Sequence, residues 1–418
     1  MPEMDAPAPR PRRWRLPRTF AALQHRNYRL FFGGQLISVT GTWMQNLALA
    51  WLTYQLTNSK LLLGLIGAVG SLPMSLLAVP GGALADRGDK RRILLATQSA
   101  AMLLAFVLTA LSGTGVIRVW HIAVLAALGG TVMAVDMPTR QAFVVEMVGK
   151  RELMNAIALN SSIFNSARII GPAIAGALVA GLGPTWCFFI NGLSFLAVLV
   201  SLLLMQFPPR PARAFTTSVL TDAFGGLRYL VTHRALRQVV ALLAVFSVFG
   251  WSYGVLMPVF ARDVLKAGAR GLGYLMTSNG IGALAGALTV ATLSEYPRKQ
   301  MLFGGAFVLS AALIGFALSR TFLLSAALLA LVGLGGVAFM STANTTIQVS
   351  VPDEMRGRVM GVWGLVFAGT APLGSLQAGT IAQYLTAPDA VAIGACITGC
   401  AAVVALIAAR RRVADEPP

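Results

Sequence analysis

Asp136 and Arg168 are the two charged residues that fall well inside long apolar stretches of this 418-residue sequence. A charge at bilayer depth is costly unless it is paired or wet, so each marks a pathway, a relay or a structural pair. Arg140 follows Asp136 by one helical turn, on the same face. Three readings of Asp136 are open. It pairs locally with Arg140, it bonds Arg87 or Arg91 near the cytoplasmic edge, or it takes up and releases a proton. Arg168 also has three: it draws in an anionic group, it favours the ionised form of a proton-carrying acid, or it is held structurally by carbonyls and Asn165.

A second cluster is denser. Gly82-Ala-Leu-Ala-Asp86-Arg87-Gly-Asp89-Lys90-Arg91-Arg92 sits between two apolar stretches with almost no linker. A loop this charged cannot lie in hydrocarbon, so it is a tight turn at one membrane face. Its basic excess places that face in the cytoplasm. Gly82 is expected to let neighbouring helices approach closely. Asp86, at the end of one helix, accepts hydrogen bonds and favours a facing helix N-terminus. Arg87, Lys90 and Arg91 can pair with carboxylates on adjacent helix ends.

These side chains need a scaffold that crosses a bilayer, and the composition supplies one. Apolar residues make up 56% of the chain and charged residues 11%, with a mean hydropathy of +0.72. A soluble domain carries about 25% charged residues. Twelve segments reach the roughly 20 apolar residues needed to cross hydrocarbon. They lie near 29–54, 61–85, 93–112, 119–142, 156–181, 185–206, 237–260, 271–293, 301–319, 322–345, 359–384 and 390–409. The pattern predicts an all-α polytopic membrane protein with twelve transmembrane helices. The expected layout is a basic tail over 1–27, a six-helix bundle over 28–206, a linker over 207–236, a second bundle over 237–409 and a short tail over 410–418. Apolar residues at helical spacing over 219–230 predict an amphipathic helix on the membrane surface within the linker.

The net charge of +18 reports topology. With both termini inside, 26 of the 33 Lys and Arg residues face the cytoplasm. Only Lys60, Arg118, Arg262, Lys266, Arg270 and Arg320 fall outside, and Arg168 lies within a span. This skew is the positive-inside pattern, and it favours contact with anionic lipid over nucleic acid. The arginine-rich start precedes a full-length span, so it reads as a cytoplasmic tail and not as a cleaved leader. The three cysteines, all in spans, have no metal-ligand neighbours and read as small apolar packing residues. No His-Glu-x-x-His, no nucleotide-binding loop and no nucleophile with a base is present, so neither an enzyme nor a metal or cofactor is expected.

The two halves echo each other. Gly171-Pro172 in the fifth span has a counterpart in Ala371-Pro372 of the eleventh, each after a charged loop. Weak internal symmetry suits a duplicated transporter fold with substrate near the midplane. With Asn27-Tyr-Arg29, Gly41-Thr-Trp43-Met-Gln45, Gly82 to Arg92, Asp136-Met-Pro138-Thr-Arg140 and Asn160 to Pro172, the sequence resembles the major facilitator superfamily over about residues 25–410. Within it, the match is to the branch containing the enterobactin exporter and related drug and siderophore efflux proteins.

The resemblance implies two pseudo-symmetric six-helix bundles in a bacterial inner membrane. It implies a monomeric secondary transporter, most simply one that exports a small organic molecule in exchange for protons. Uptake or uniport by the same fold is the alternative, and a membrane enzyme or non-transporting sensor a more distant one. It assigns Gly82, Asp86, Arg87, Lys90, Arg91, Asp136 and Arg140 to a latch that closes the cytoplasmic side. It partly matches the Gly171-Pro172-Gly176 packing signature of drug antiporters. Asp136, Arg168, Asn165, Gln35, Gln45, Asn160, Trp251, Asn344 and Gln348 are the candidates for the proton and substrate pathway, with Tyr253, Asn279 and Gln377 among further polar residues in spans. With so little intramembrane charge, the expected cavity is mostly neutral.

Overall fold

A computed structural model of the chain describes residues 18–207, 228–229, 232–293 and 295–415. Among them, twelve long helices follow one another and no strand occurs. The first three are α1 (Arg26–Thr57), α2 (Lys60–Arg87) and α3 (Lys90–Gly113). Then come α4 (Val119–Gly149), α5 (Arg151–Gly181), α6 (Pro184–Leu204) and α7 (Leu236–Val264). The last five are α8 (Gly268–Thr292), α9 (Arg298–Leu318), α10 (Phe322–Ser350), α11 (Asp353–Tyr384) and α12 (Ala387–Asp415). Eleven of these are long and apolar enough to cross a membrane. The twelfth, α1, has 32 residues, but Gln35, Ser38, Thr40, Thr42, Gln45 and Asn46 dilute its apolar run. The helix expected over 219–230 lies, except for Arg228 and Tyr229, outside the described residues.

Local chemistry sets the turns. Asn58 closes α1 in a left-handed conformation (φ 50°), and the Ser59 hydroxyl caps α2 by accepting from the Leu62 amide at 3.2 Å. Asp89 caps α3 by accepting from the Arg92 amide at 3.1 Å. Gly149, at φ 70°, separates α4 from α5, a conformation that strongly favours glycine.

Helices α1–α6 and α7–α12 form two bundles that meet along two seams. On one, α2 crosses α11, and a Cβ at Gly64 would sit 2.8 Å from the Gly379 Cα. On the other, α5 crosses α8, and a Cβ at Gly176 would sit 2.8 Å from the Gly273 Cα. Missing side chains allow backbones to touch, which is how helices associate without a hydrophobic driving force. Both seams run from one end of the molecule to its middle. The Lys60 and Leu61 amides donate to Gln383 Oε1 at 3.1 and 3.3 Å, and Ser75 Oγ donates to the Ala368 carbonyl at 2.7 Å. On the other seam, Thr277 Oγ1 donates to the Ile169 carbonyl at 3.1 Å.

Beyond the middle the bundles part. A single apolar core containing Leu52, Ile66, Val179, Leu256 and Leu275 runs through both halves at the closed end. At the opposite end Tyr28, Phe31, Leu94, Phe143 and Leu202 form a core of the first bundle alone. The molecule is therefore closed at the α1–α2 end and open at the α2–α3 end.

Candidate functional site

The α5–α8 seam ends at Arg168, halfway along α5, where a Cβ on Gly280 would lie 2.9 Å from the Arg168 carbonyl oxygen. The Arg168 guanidinium donates from Nη2 to Asn279 Oδ1 on α8 at 2.7 Å. Asn279 in turn donates to the Tyr253 hydroxyl at 2.9 Å and to the Leu329 carbonyl at 3.1 Å. The guanidinium carbon lies 5.4 Å from the centre of the Trp251 ring, within the range of a cation–π contact. Among the described residues Arg168 has no carboxylate partner. Asn165, its expected structural partner, does not reach it, and neither does Asp136. Asn165 bonds the Ser161 carbonyl of its own helix instead, at 2.9 Å.

Trp251 stands on an irregular stretch of α7. The Trp251 amide bonds the Phe246 carbonyl at 2.9 Å, a wide five-residue turn, and a tighter turn follows over Ser252–Leu256. Such departures from α-helical pitch re-aim side chains and are frequent at functional sites. Beside Trp251, a cleft of about 180 Å³ opens between α7 and α11. Ser247, Val255, Phe367, Ala371 and Ser375 line it, together with Ser252, Gly254 and Gly374. Trp251 and Phe367 meet edge to face at 6.3 Å. The Ser247 hydroxyl is buried and has no hydrogen-bond partner among the described residues.

The Asp136 carboxylate is buried, 1% exposed, and accepts three bonds. Thr97 Oγ1 donates at 2.8 Å, Gln98 Nε2 at 2.7 Å, and Arg140 forms an ion pair with it. Arg140 also donates to Gln35 Oε1 at 2.7 Å. This network ties α1, α3 and α4 together. Of the three readings open in the sequence, the local pair with Arg140 is the one present here, and neither Arg87 nor Arg91 touches Asp136.

The charged turn divides its labour. Lys90 pairs with Glu146 at 2.8 Å. Arg91 donates to the Leu202 and Leu203 carbonyls at 2.7 and 3.0 Å, satisfying the exposed end of α6. Asp86 and Arg87 are exposed and without partners among the described residues. In this pose no helix approaches Gly82: a Cβ there would meet nothing within 4 Å. Gly81 makes the close approach, since a Cβ on it would lie 2.3 Å from the Ala134 carbonyl oxygen. The face of α2 that touches α4 is one residue out of register with the expected one.

The remaining candidates scatter. Gln45 accepts from Asn191 at 2.8 Å inside the first bundle. Asn160 is half-buried with no bond among the described residues, and Gln348 donates to Asn344 one turn earlier at 2.5 Å. Gly171 and Gly176 pack on different neighbours. A Cβ at Gly171 would lie 2.6 Å from Trp43 Cβ on α1, whereas Gly176 faces α8 across the seam, and the Pro172 carbonyl lies against Gly273 there.

One cluster has no forerunner in the sequence reading. At the closed end the Tyr54 hydroxyl of α1 donates to Asp263 of α7, and the Arg262 guanidinium carbon lies 5.2 Å from the Tyr54 ring centre. From sequence, Arg262-Asp263 is an ordinary charged pair at a span end, and only the fold brings Tyr54 to it. Among the described residues, no group of three or more His, Cys, Asp or Glu side chains could hold a metal ion.

The transmembrane secretion effector family matches residues 17–416. The staphyloferrin A transporter of Staphylococcus aureus (strain NCTC 8325 / PS 47) is 28% identical over 353 residues, covering 83% of this chain and 87% of its own. The enterobactin exporter of Shigella boydii serotype 4 (strain Sb227) is 26% identical over 400 residues, 93% of each chain. A bacterial homolog of the human lysosomal transporter Spinster, solved inward-facing and occupied, shares the fold with a TM-score of 0.74. Its identity is 14%, over 94% of this chain and 99% of that one. These relatives are transporters and not enzymes, and the twelve helices make this a multi-pass protein of the bacterial inner membrane. The chain belongs to the transmembrane secretion effector family of the major facilitator superfamily.

Proposed function

We propose that this transporter exports a small organic molecule in exchange for protons, by alternating access, and that the open end faces the cytoplasm. The basic excess at the α2–α3 end supports that orientation. The observation carrying the reading is the unequal closure of the two ends. Glycine seams, Tyr54–Asp263 and the Gln383 contacts hold one end shut. At the other, Asp86 and Arg87 stand without partners among the described residues, and a Cβ on Gly82 would meet none of them within 4 Å. A second pose that brings the inner ends together gives all three a use: Gly82 admits a neighbouring helix, and Asp86 and Arg87 find partners on it.

Lys90, Arg91, Asp136 and Arg140 act in this scheme as the frame that keeps the first bundle rigid while it rocks. Asp136 is the buried acid that a proton can reach once Arg140 turns away, and the likeness to the enterobactin exporter supports outward movement of an organic cargo. Purified protein in vesicles, with a pH gradient imposed in either direction, tests this. Cargo should move opposite to the protons. Movement in the same direction would make it an importer, and flux indifferent to the gradient would make it a uniporter.

A further inference from the structure

We propose that the cleft beside Trp251 is the cargo site, and that its ligand is a small organic anion with a flat, apolar ring. The inference rests on the transport reading and names the chemical class that the site accepts.

The charge comes first. Arg168 is the cation at mid-depth, and its partners are a neutral amide and the face of an indole. A guanidinium in hydrocarbon normally finds a carboxylate, and leaving it without one is costly. Asn279 is itself fixed by Tyr253 and Leu329, so it holds the guanidinium in place without neutralising it. Arg presents its donors as a planar fork, suited to a carboxylate.

The shape comes second. The cleft of about 180 Å³ is close in size to an engineered cavity of about 150 Å³ that holds benzene. Its walls are the Trp251 and Phe367 rings and the small residues Gly254, Ala371 and Gly374, which leave a slot for one ring. A third observation is independent of both: Ser247 lines this slot, is 5% exposed, and has a hydroxyl without a partner among the described residues. That hydroxyl is closed off in this pose, so a polar substituent on the ring would satisfy it once the Ser247 side chain turns into the slot. Arg168 does not line the slot itself but lies over the Trp251 ring that walls it, so an aromatic acid whose carboxylate reaches past that ring is selected over a cationic drug, whose head would meet the guanidinium.

The probe is 4-fluorobenzoate, compared with its neutral isostere 4-fluorobenzamide, using fluorine NMR line broadening on the purified full chain in nanodiscs. The acid should bind at least about tenfold more tightly than the amide. Arg168→Gln should bring the acid down to the amide, and Arg168→Lys should retain most of the preference. Ala371→Phe, which fills the slot, should remove binding of both, with melting temperature and elution volume unchanged in each variant. Equal affinity of acid and amide, or an acid preference that survives Arg168→Gln, overturns the proposal. Acid-selective binding with no flux in vesicles would keep the anion site and remove the transport reading. Gradient-driven flux of neutral and anionic cargo alike would do the reverse.

Discussion

Gly64 of α2 and Gly379 of α11 touch backbone to backbone: a Cβ on the first would lie 2.6 Å from the Ser375 carbonyl oxygen and 2.8 Å from the Gly379 Cα. Both obstacles are main chain, so no rotamer change relieves them. Gly64→Val should therefore push the two bundles apart at the closed end. Overpacking of this kind costs about 1–3 kcal/mol, roughly a 5- to 150-fold shift toward the pose open on that side. A cysteine placed at Ser75, where the seam ends, reports this through labelling by a membrane-impermeant maleimide applied from outside. Labelling should rise with Gly64→Val, and an unchanged rate would mean that the seam does not govern access.

The Tyr54–Asp263 contact joins the bundles at the same end. Tyr54→Phe should weaken closure by on the order of 1 kcal/mol, about fivefold in the same labelling assay. Asp263→Asn should do likewise, and the two together should add little to either alone, as expected of partners in one bond. Additive effects would show that each acts elsewhere.

The sequence carried the membrane class, the twelve spans and the two-bundle plan, because runs of some 20 apolar residues and a skewed basic charge are properties of the chain itself. Pairings between helices were harder to read. Arg168 and Asn279 are 111 residues apart, and each alone is only a polar residue in a span. Gly81 and Gly82 differ by 100° around α2, and only the position of α4 decides which of them is the contact. The irregular pitch around Trp251 left no mark that periodicity could register. Asp136–Arg140 was visible because its spacing is local. The Thr97 and Gln98 donors, on another helix, were not.

Asp136 separates framework from mechanism. Removing one partner of a buried, bonded charge pair costs about 3 kcal/mol, so Asp136→Leu should lower the melting temperature clearly. Asp136→Leu with Arg140→Met should recover much of that loss. Stability restored without proton-driven flux assigns Asp136 to the proton route as well as the frame. Flux that returns with stability confines it to the frame.

Asp86 and Arg87 should behave in the opposite way. They are exposed and without partners among the described residues, so Asp86→Asn and Arg87→Gln should change stability by less than about 0.5 kcal/mol. Transport should nonetheless fall several-fold, because the pose they stabilise is the other one. Calorimetry and vesicle flux on the same preparations give both values, and a large loss of stability would place their role in the present pose.

The rocking of two rigid bundles is best tested by electron–electron distance measurements with spin labels in a variant lacking Cys187, Cys396 and Cys400. One pair, at Leu84 and Gly361, spans the open end, and a second, at Leu56 and Tyr384, spans the closed end; all four positions are exposed. Between pH 8 and pH 5, and again on introducing Gly64→Val, the first distance should shorten as the second lengthens. Two distances that stay fixed, or that change in the same sense, would contradict alternating access in this protein.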